Sequence, residues 1–141
     1  MENLIPKITS EKIKKYIDEF FLMEKGEIIK NPKKIIPFSM SSQITRRSLK
    51  HIVENRTLYD GLSFQQLITF ISKAQEIIEN PEVEVDNWGN KNYPQSRLLG
   101  KFNPESNKGI MIVVRSDRRG TKYVITIFRK EARNYFRLVE K

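Results

Sequence analysis

The sequence predicts an α+β fold, with N-terminal helices packed on one face of a four- to five-stranded antiparallel sheet. Two observations lead to this class. Up to residue 80 the apolar residues recur with the spacing of amphipathic helices, and from residue 82 they alternate with a period of two. Runs of helices followed by runs of strands are typical of α+β domains. The 141 residues are enough to build one domain of this kind.

The first predicted helix runs from Ser10 to Glu24. Its apolar residues follow the spacing i, i+3, i+4, i+7, i+8 of a helix with one buried face: Ile13, Tyr16, Ile17, Phe20 and Phe21. Thr9 or Ser10 can cap its start, and Gly26 can supply a left-handed residue after its end. Residues 27–37 are rich in proline and lysine, which indicates a connector with at most short strands. We therefore divide the chain into an N-terminal helical extension and connector, residues 1–38, and an α+β domain, residues 39–141.

Two further helices are predicted before the sheet. The second helix has Ser41 and Ser42 as candidate caps and ends near Arg56, and on a helical wheel His51 lies beside its apolar stripe. That stripe is thin and consists of Thr45, Leu49, Ile52 and Val53. The third helix, Leu62 to Asn80, has the strongest apolar periodicity and is followed by a proline that stops it.

Strands are predicted from residue 83 onwards. They cover residues 83–88, 96–103, 109–116 and 121–130, with 134–140 as a candidate fifth strand. Asp117 to Gly120 is predicted to form a tight hairpin turn, because the glycine can adopt a positive φ.

Alternation within the three central strands divides their residues between two faces. One set is apolar and is predicted to face the helices: Leu98, Phe102, Ile110, Ile112, Val114, Tyr123, Ile125 and Ile127. The other set is predicted to face solvent and holds five cations and no acid: Arg97, Leu99, Lys101, Met111, Val113, Arg115, Lys122, Val124, Thr126, Phe128 and Lys130. A cationic face with exposed aromatic groups suits phosphate contact and base stacking. Lysine and arginine also protect a solvated sheet against aggregation, which is the alternative interpretation.

The distribution of charge points to a polyanionic partner. The chain has a net charge of +9, and residues 96–141 hold 12 basic and 4 acidic groups, which gives 12 − 4 = +8. A basic region of this kind is typical of nucleic-acid-binding proteins. The lack of cysteine excludes thiol catalysis and Cys-ligated zinc, and a single histidine excludes a two-histidine metal site. We predict no metal and no cofactor.

No apolar run is long enough to span a membrane, and residues 1–10 lack the pattern of a signal peptide. The expected location is therefore the cytoplasm.

RNA cleavage is one reaction that such a chain can carry out without metal, because RNA supplies its own nucleophile, the 2′-OH. The reaction then needs a proton acceptor, a proton donor and cations, which a histidine, arginines and a hydroxyl can provide.

Five segments carry a resemblance to a known family. They are SSQITRRSLKHIVENR (41–56), IIENPEVEVDNW (77–88), QSRLLGKF (95–102), KGIMIVVR (108–115) and YVITIFRK (123–130). The chain from residue 39 to about residue 129 resembles the barnase/EndoU/colicin/RelE-like nuclease superfamily, in particular its compact phage- and toxin-associated branch. The resemblance implies helices followed by a four-stranded antiparallel sheet, and RNA cleavage without metal.

The resemblance also implies roles for individual residues. His51 matches the helix histidine, the proposed base or acid; Arg97 matches a strand arginine or lysine that holds the scissile phosphate. Thr126 matches a hydroxyl that donates to a non-bridging oxygen. The further candidates for substrate binding are Arg115, Lys101, Lys122 and Arg56. Relatives often carry a second histidine where this chain has Arg56, and arginine cannot act as a base near neutral pH.

The predicted function is therefore a metal-independent endoribonuclease, a toxin-like bacterial or phage effector that cuts RNA by 2′-OH transesterification. Its expected partners are RNA, with transfer RNA among the candidates, and an acidic immunity or antitoxin protein. A delivered toxin would act in the cytoplasm of the target cell. Two alternatives stay open: a non-catalytic nucleic-acid-binding module on the same fold, which the Arg56 departure favours, and a protein whose cationic face docks an acidic partner.

Overall fold

The computed structural model describes residues 8–24, 27–86 and 96–140. The described residues form four helices and six strands. In chain order these are α1 (Ser10–Leu22), β1 (Ile35–Pro37), β2 (Ser42–Thr45), α2 (Arg46–Asp60), α3 (Phe64–Glu79), β3 (Val83–Asp86), β4 (Ser96–Asn103), β5 (Lys108–Ser116), β6 (Lys122–Glu131) and α4 (Ala132–Val139). The predicted α+β class is confirmed.

The strands form one mixed sheet in the order β1-β2-β6-β5-β4-β3. Strands β3 to β6 pair antiparallel with their neighbours, as does β1 with β2, whereas β2 runs parallel to β6. The prediction of a four- to five-stranded antiparallel sheet is therefore corrected to a six-stranded mixed sheet. β1 and β2 have three and four residues, which is too short for alternation to reveal them.

The starts of the helices follow ordinary capping chemistry. Thr9 caps α1 as predicted, and Gly26, predicted to end this helix, lies outside the described residues. The predicted caps Ser41 and Ser42 are wrong for α2, since Ser42 belongs to β2. Thr45 caps α2 instead, and its Oγ1 accepts a hydrogen bond from the Ser48 amide at 3.1 Å.

Residues 134–140, predicted as a candidate strand, belong to α4. Tyr135 is fully buried and clusters with Leu98 and Met111, while Leu138 packs against this cluster. Tyr135 and Leu138 are three positions apart and therefore point to the same side of a helix. In so short a segment the helical and strand periods are hard to distinguish, and contact with the sheet decides between them.

The two sides of the sheet are covered differently. The helix side, toward which Leu99, Ile112 and Ile127 point, packs against α1, α2 and α3 in the main core. The α4 side, toward which Leu98 and Met111 point, is covered by α4 alone among the described helices. The N-terminal helices α1 to α3 lie on one face, as predicted, whereas the expectation that the other face is open to solvent is corrected, because α4 covers part of it.

The N-terminal region contributes to the main core. Ile13 and Ile17 of α1 and Ile36 of β1 belong to the same buried cluster as the sheet and α3. The Gln75 side chain, buried on α3, donates from its Nε2 to the carbonyls of Ile8 at 2.9 Å and Phe38 at 2.7 Å. The predicted division at residue 38 therefore does not coincide with a break in this core.

The predicted faces of β4 are inverted. Leu99 pairs with Ile112 and Arg97 pairs with Val114, so Arg97, Leu99 and Lys101 lie on the helix side. Leu98 and Phe102, predicted to face α1 to α3, lie on the α4 side. Both sets of β4 contain leucine, so alternation could separate the two faces without showing which one meets which helix.

A β-bulge reverses the first part of β6. The register shifts between Val113 and Val114, so that Val113 pairs with Thr126 and Val114 with Val124. The predicted faces of the residues before the bulge are therefore wrong: Val124 is buried on the helix side and Ile125 is 40% exposed. Lys122 likewise lies on the helix side and Tyr123 on the α4 side, the reverse of the prediction for both residues. The predicted partition into two sets is confirmed for β5 and for β6 beyond the bulge, although Met111 is buried beneath α4 rather than open to solvent.

The burial of Tyr135 predicts that stability depends on pH in alkaline solution. Its hydroxyl donates to the Glu82 carboxylate. Burial, the largest single cause, and the neighbouring Glu82 carboxylate both raise the pKa of Tyr135 above its ordinary value near 10. The unfolded chain releases this proton at a lower pH than the folded chain does. The stabilisation of the folded state by the protonated hydroxyl is therefore fully present below a pH of about 10 and is lost as the pH rises further. We expect Tyr135→Phe to flatten the fall in unfolding free energy between pH of about 9 and about 11. Urea titrations of both proteins measure this difference, and identical pH profiles would contradict it.

Candidate nucleic-acid interface

Ion pairs neutralise many of the cations on the helix side and at the β3–β4 edge. The pairs within the described residues are Arg46–Glu19, Lys50–Glu54, Arg56–Asp60, Arg129–Asp60, Lys73–Glu105, Arg97–Glu84, Arg97–Asp86 and Lys108–Glu131. Whatever they add to stability, these pairs cancel the field that a polyanion would meet. The excess positive charge must therefore be sought on other surfaces.

The β5–β6 hairpin carries a concentration of cations at one end of the sheet. We define the hairpin surface as Arg115, Arg118, Arg119, Lys122 and Tyr123. Within the part of the chain that the structure describes, Arg118, Arg119 and Lys122 form no ion pair. Arg115, Arg118 and Arg119 are exposed. This end of the hairpin is therefore a strongly positive surface.

The acidic residue of the hairpin turn, Asp117, is hydrogen-bonded to the backbone of the same turn. The Asp117 Oδ1 atom accepts hydrogen bonds from the backbone amides of Arg119 and Thr121, both at 2.9 Å. Gly120 has a φ of +83°, which an L side chain rarely adopts, and the predicted hairpin turn is confirmed. The local sequence thus holds the Asp117 carboxylate against the backbone while its arginines stay exposed.

A groove of about 580 Å³ separates the hairpin from the start of α2. It is lined by Thr45, Ser48, Arg115, Ser116, Asp117, Arg118, Tyr123, Val124 and Ile125. Arg115 and Tyr123 are cross-strand partners and share one face, and the bulge exposes Ile125 beside them. The groove combines two guanidinium groups, one aromatic ring and three aliphatic hydroxyls. Guanidinium and hydroxyl groups bind phosphate, and an aromatic ring stacks on a base.

The three residues predicted to be catalytic lie on different parts of the fold. His51 is exposed on α2, with its Nε2 atom 2.9 Å from Nδ2 of Asn55, beside the connector that precedes β1. Thr126 points to the α4 side, away from α2. Arg97 lies on the helix side at the β3–β4 edge, where it contacts Glu84 and Asp86 at 2.8 Å each. The expectation that Arg97 and Thr126 share one acid-free face is therefore wrong.

The four residues predicted to bind substrate are also divided. Arg115 lines the groove and Lys122 begins the adjoining strand, so both belong to the hairpin surface. Lys101 lies on the helix side beside Lys73 and Glu76. Arg56 is largely buried and pairs with Asp60 at 2.7 Å. The register of β4 and the fold of α2 thus remove Lys101 and Arg56 from the predicted surface.

Sequence reasoning missed several residues of the groove. Thr45 and Ser48 join it because α2 begins at Arg46 with Thr45 as its cap, rather than directly after Ser41 or Ser42. Tyr123 joins it because the bulge turns it to the α4 side. The Thr45-to-Ser48 spacing of a helix start was visible in the sequence, whereas the bulge had no local signal.

None of the described helices is long and apolar enough to cross a membrane. Within the same residues, no group of three or more histidine, cysteine or acidic side chains is arranged to hold a metal ion. No family model, curated protein or solved structure matches this chain.

Proposed function

We propose that this protein is a nucleic-acid-binding domain that holds single-stranded RNA in the groove between the β5–β6 hairpin and the start of α2. The observation that carries this proposal is the groove itself, in which Arg115 and Arg118 lie beside Tyr123. Two guanidinium groups can bind phosphates of the backbone, and the ring can stack on an unpaired base. An unpaired base is needed because stacking requires its face to be open.

The charge of the surrounding surface supports the same proposal. Arg119 and Lys122 extend the cationic surface past the groove. Cations that are not cancelled by neighbouring acids attract a polyanion from a distance. Phosphate contacts also release condensed counterions, so binding to such a surface weakens steeply with salt.

The test compares variants of the groove with a matched arginine elsewhere on the sheet. We expect Arg115→Ala and Arg118→Ala each to weaken binding of a single-stranded RNA and to reduce the slope of log affinity against log salt by about 0.7. Tyr123→Leu should weaken binding by about tenfold with little change in that slope, because it removes stacking rather than a phosphate contact. Fluorescence anisotropy at several salt concentrations measures both quantities.

Arg97→Ala is the matched control, since Arg97 lies on a strand of the same sheet but is held by Glu84 and Asp86. It should leave RNA affinity unchanged. An effect of Arg97→Ala as large as that of Arg115→Ala would contradict the placement of the interface. An RNA affinity that is independent of salt would contradict the proposal and favour an acidic protein as the partner.

The endoribonuclease activity implied by the resemblance stays a prediction, and the separation of His51, Arg97 and Thr126 does not support it. The single-stranded RNA of the binding experiment also tests for this cleavage activity. RNA that remains intact with the wild-type protein favours a binding module. Cleavage that survives excess chelator and is lost in His51→Ala would instead favour the enzyme.

A further inference from the structure

A second group of exposed cations lies beside the start of α2, on the connector that precedes β1. We define the connector surface as Lys30, Lys33, Lys34 and Arg47, whose side chains are all exposed. In the part of the chain that the structure describes, none of these four side chains forms an ion pair. Their charges are therefore open to an anionic partner.

Backbone hydrogen bonds hold the connector against the first turn of α2. The Arg46 amide donates to the Lys34 carbonyl at 2.9 Å. The Arg47 amide donates to the Pro32 carbonyl at 3.0 Å. Between these two contacts the chain makes a tight turn, in which the Lys34 amide donates to the Asn31 carbonyl at 3.0 Å. The lysines of this turn are therefore kept close to Arg47.

The start of α2 is unusually positive. Its first turn holds no acidic residue, and the positive end of the helix dipole adds to the field of its two arginines. Arg46 is buried, pairs with Glu19 and lies 5.8 Å from the centre of the Phe20 ring. Arg47 is exposed and has no ion pair among the described residues. An anion bound beside Arg47 would relieve this excess of positive charge.

Two acids line the groove beside Arg47. This groove, of about 370 Å³, lies between the connector and α2 and contains Glu27 and Glu54. Glu54 pairs with Lys50, so its charge is already balanced. Glu27 opposes an anion, but the four cations of the connector surface outnumber it. The surface as a whole therefore attracts a polyanion.

The connector surface adjoins the hairpin groove across the start of α2. Thr45 lines the hairpin groove and pairs with Ile35, the residue that follows Lys34. Ser48 also lines that groove and follows Arg47 in the helix. A helix with its side chains is about 10–12 Å across, so an extended nucleic-acid strand can pass from one surface to the other within a few nucleotides.

We propose that the connector surface is a second phosphate-binding part of the RNA interface. One single strand would run from the hairpin groove across the start of α2 to Lys33, Lys34 and Arg47. This inference rests on the proposed function, because it extends the same interface. Lysine and arginine contacts to phosphate position a strand without selecting its bases. The first amides of α2 take no part, since those of Arg46, Arg47 and Ser48 already donate within the protein.

The test compares single-stranded RNAs of about four and about twelve nucleotides, which lie within the usual range of site sizes for single strands. The double variant Lys33→Ala/Arg47→Ala should reduce the slope of log affinity against log salt by about 1.4 for the long RNA, because it removes two phosphate contacts. It should leave the short RNA unaffected, since the short strand binds in the hairpin groove, where Tyr123 adds stacking. Arg118→Ala should instead reduce the slope by about 0.7 for both lengths. Fluorescence anisotropy of labelled RNA in a salt series measures these slopes.

Lys12→Ala/Lys14→Ala is the matched control, since it removes two exposed lysines of α1 that form no ion pair with the described residues. It should leave both slopes unchanged. An equal effect of this control on the long RNA would show that overall charge attracts the strand, and it would overturn the inference.

Two further outcomes separate the inference from the proposed function. A long-RNA slope that Lys33→Ala/Arg47→Ala leaves unchanged would overturn the inference alone, provided that Arg118→Ala still weakens binding of the short RNA. If neither RNA binds to the wild-type protein, the proposed function fails and the inference fails with it.

Discussion

Replacement of Asp60 by asparagine is expected to lower the free energy of unfolding by about 3 kcal/mol. The Asp60 Oδ2 atom accepts from Arg56 Nη1 at 2.7 Å and from Arg129 Nε at 3.2 Å, which joins the end of α2 to β6. The three side chains are only 12–21% exposed. Removal of the carboxylate would leave two guanidinium groups poorly solvated and without a counter-charge. Arg56 is especially affected, because its Nε atom already has no partner among the described residues.

Glu105→Gln is the matched control for Asp60→Asn. Glu105 pairs with Lys73 at 3.7 Å, and its side chain is 81% exposed, while that of Lys73 is 33% exposed. An exposed pair of this type contributes about 0.5 kcal/mol or less, so the control should unfold almost as the wild type does. Urea unfolding followed by circular dichroism measures both variants. Equal losses in the two would show that the Asp60 pairs are worth no more than an ordinary surface pair.

Gly109→Ala is expected to destabilise the fold by about 2 kcal/mol. A Cβ atom at this position would lie 2.4 Å from Cδ2 and 2.8 Å from Cγ of the Tyr135 ring. Tyr135 is the fully buried anchor of α4, and its ring has little room to move between Phe102 and Phe136. The new methyl group would therefore push α4 away from the sheet. Thermal unfolding and amide exchange of residues 132–139 would report this displacement.

Gly100→Ala provides the comparison, since Gly100 lies on the neighbouring strand of the same face. Its added Cβ would meet the Met111 side chain at Cε and Sδ, at 2.7 and 2.8 Å. These atoms are the far end of a flexible chain that can change rotamer, so the expected loss is smaller. A larger loss at Gly100 than at Gly109 would contradict this account of α4 docking.

The sequence by itself determined the elements that have a long and regular pattern. α1 and α3 bury one face over more than three turns, and β4, β5 and β6 alternate over eight to ten residues, so each was predicted to within a few residues. The sequence also determined the β5–β6 turn and the excess of cations around it, because both depend on local residue types.

The tertiary structure alone decided which side of each strand meets which helix. β1 and β2 exist because they pair with a neighbour, not because their few residues favour a strand. The inversion of β4 and the bulge in β6 follow from register, which depends on the partner strand. The candidate site changed for the same reason. A cation contributes to a binding surface when no acid lies beside it, and the pairing of β3 with β4 brings Glu84 and Asp86 to Arg97. Asp60 meets Arg56 because α2 continues one turn past its predicted end.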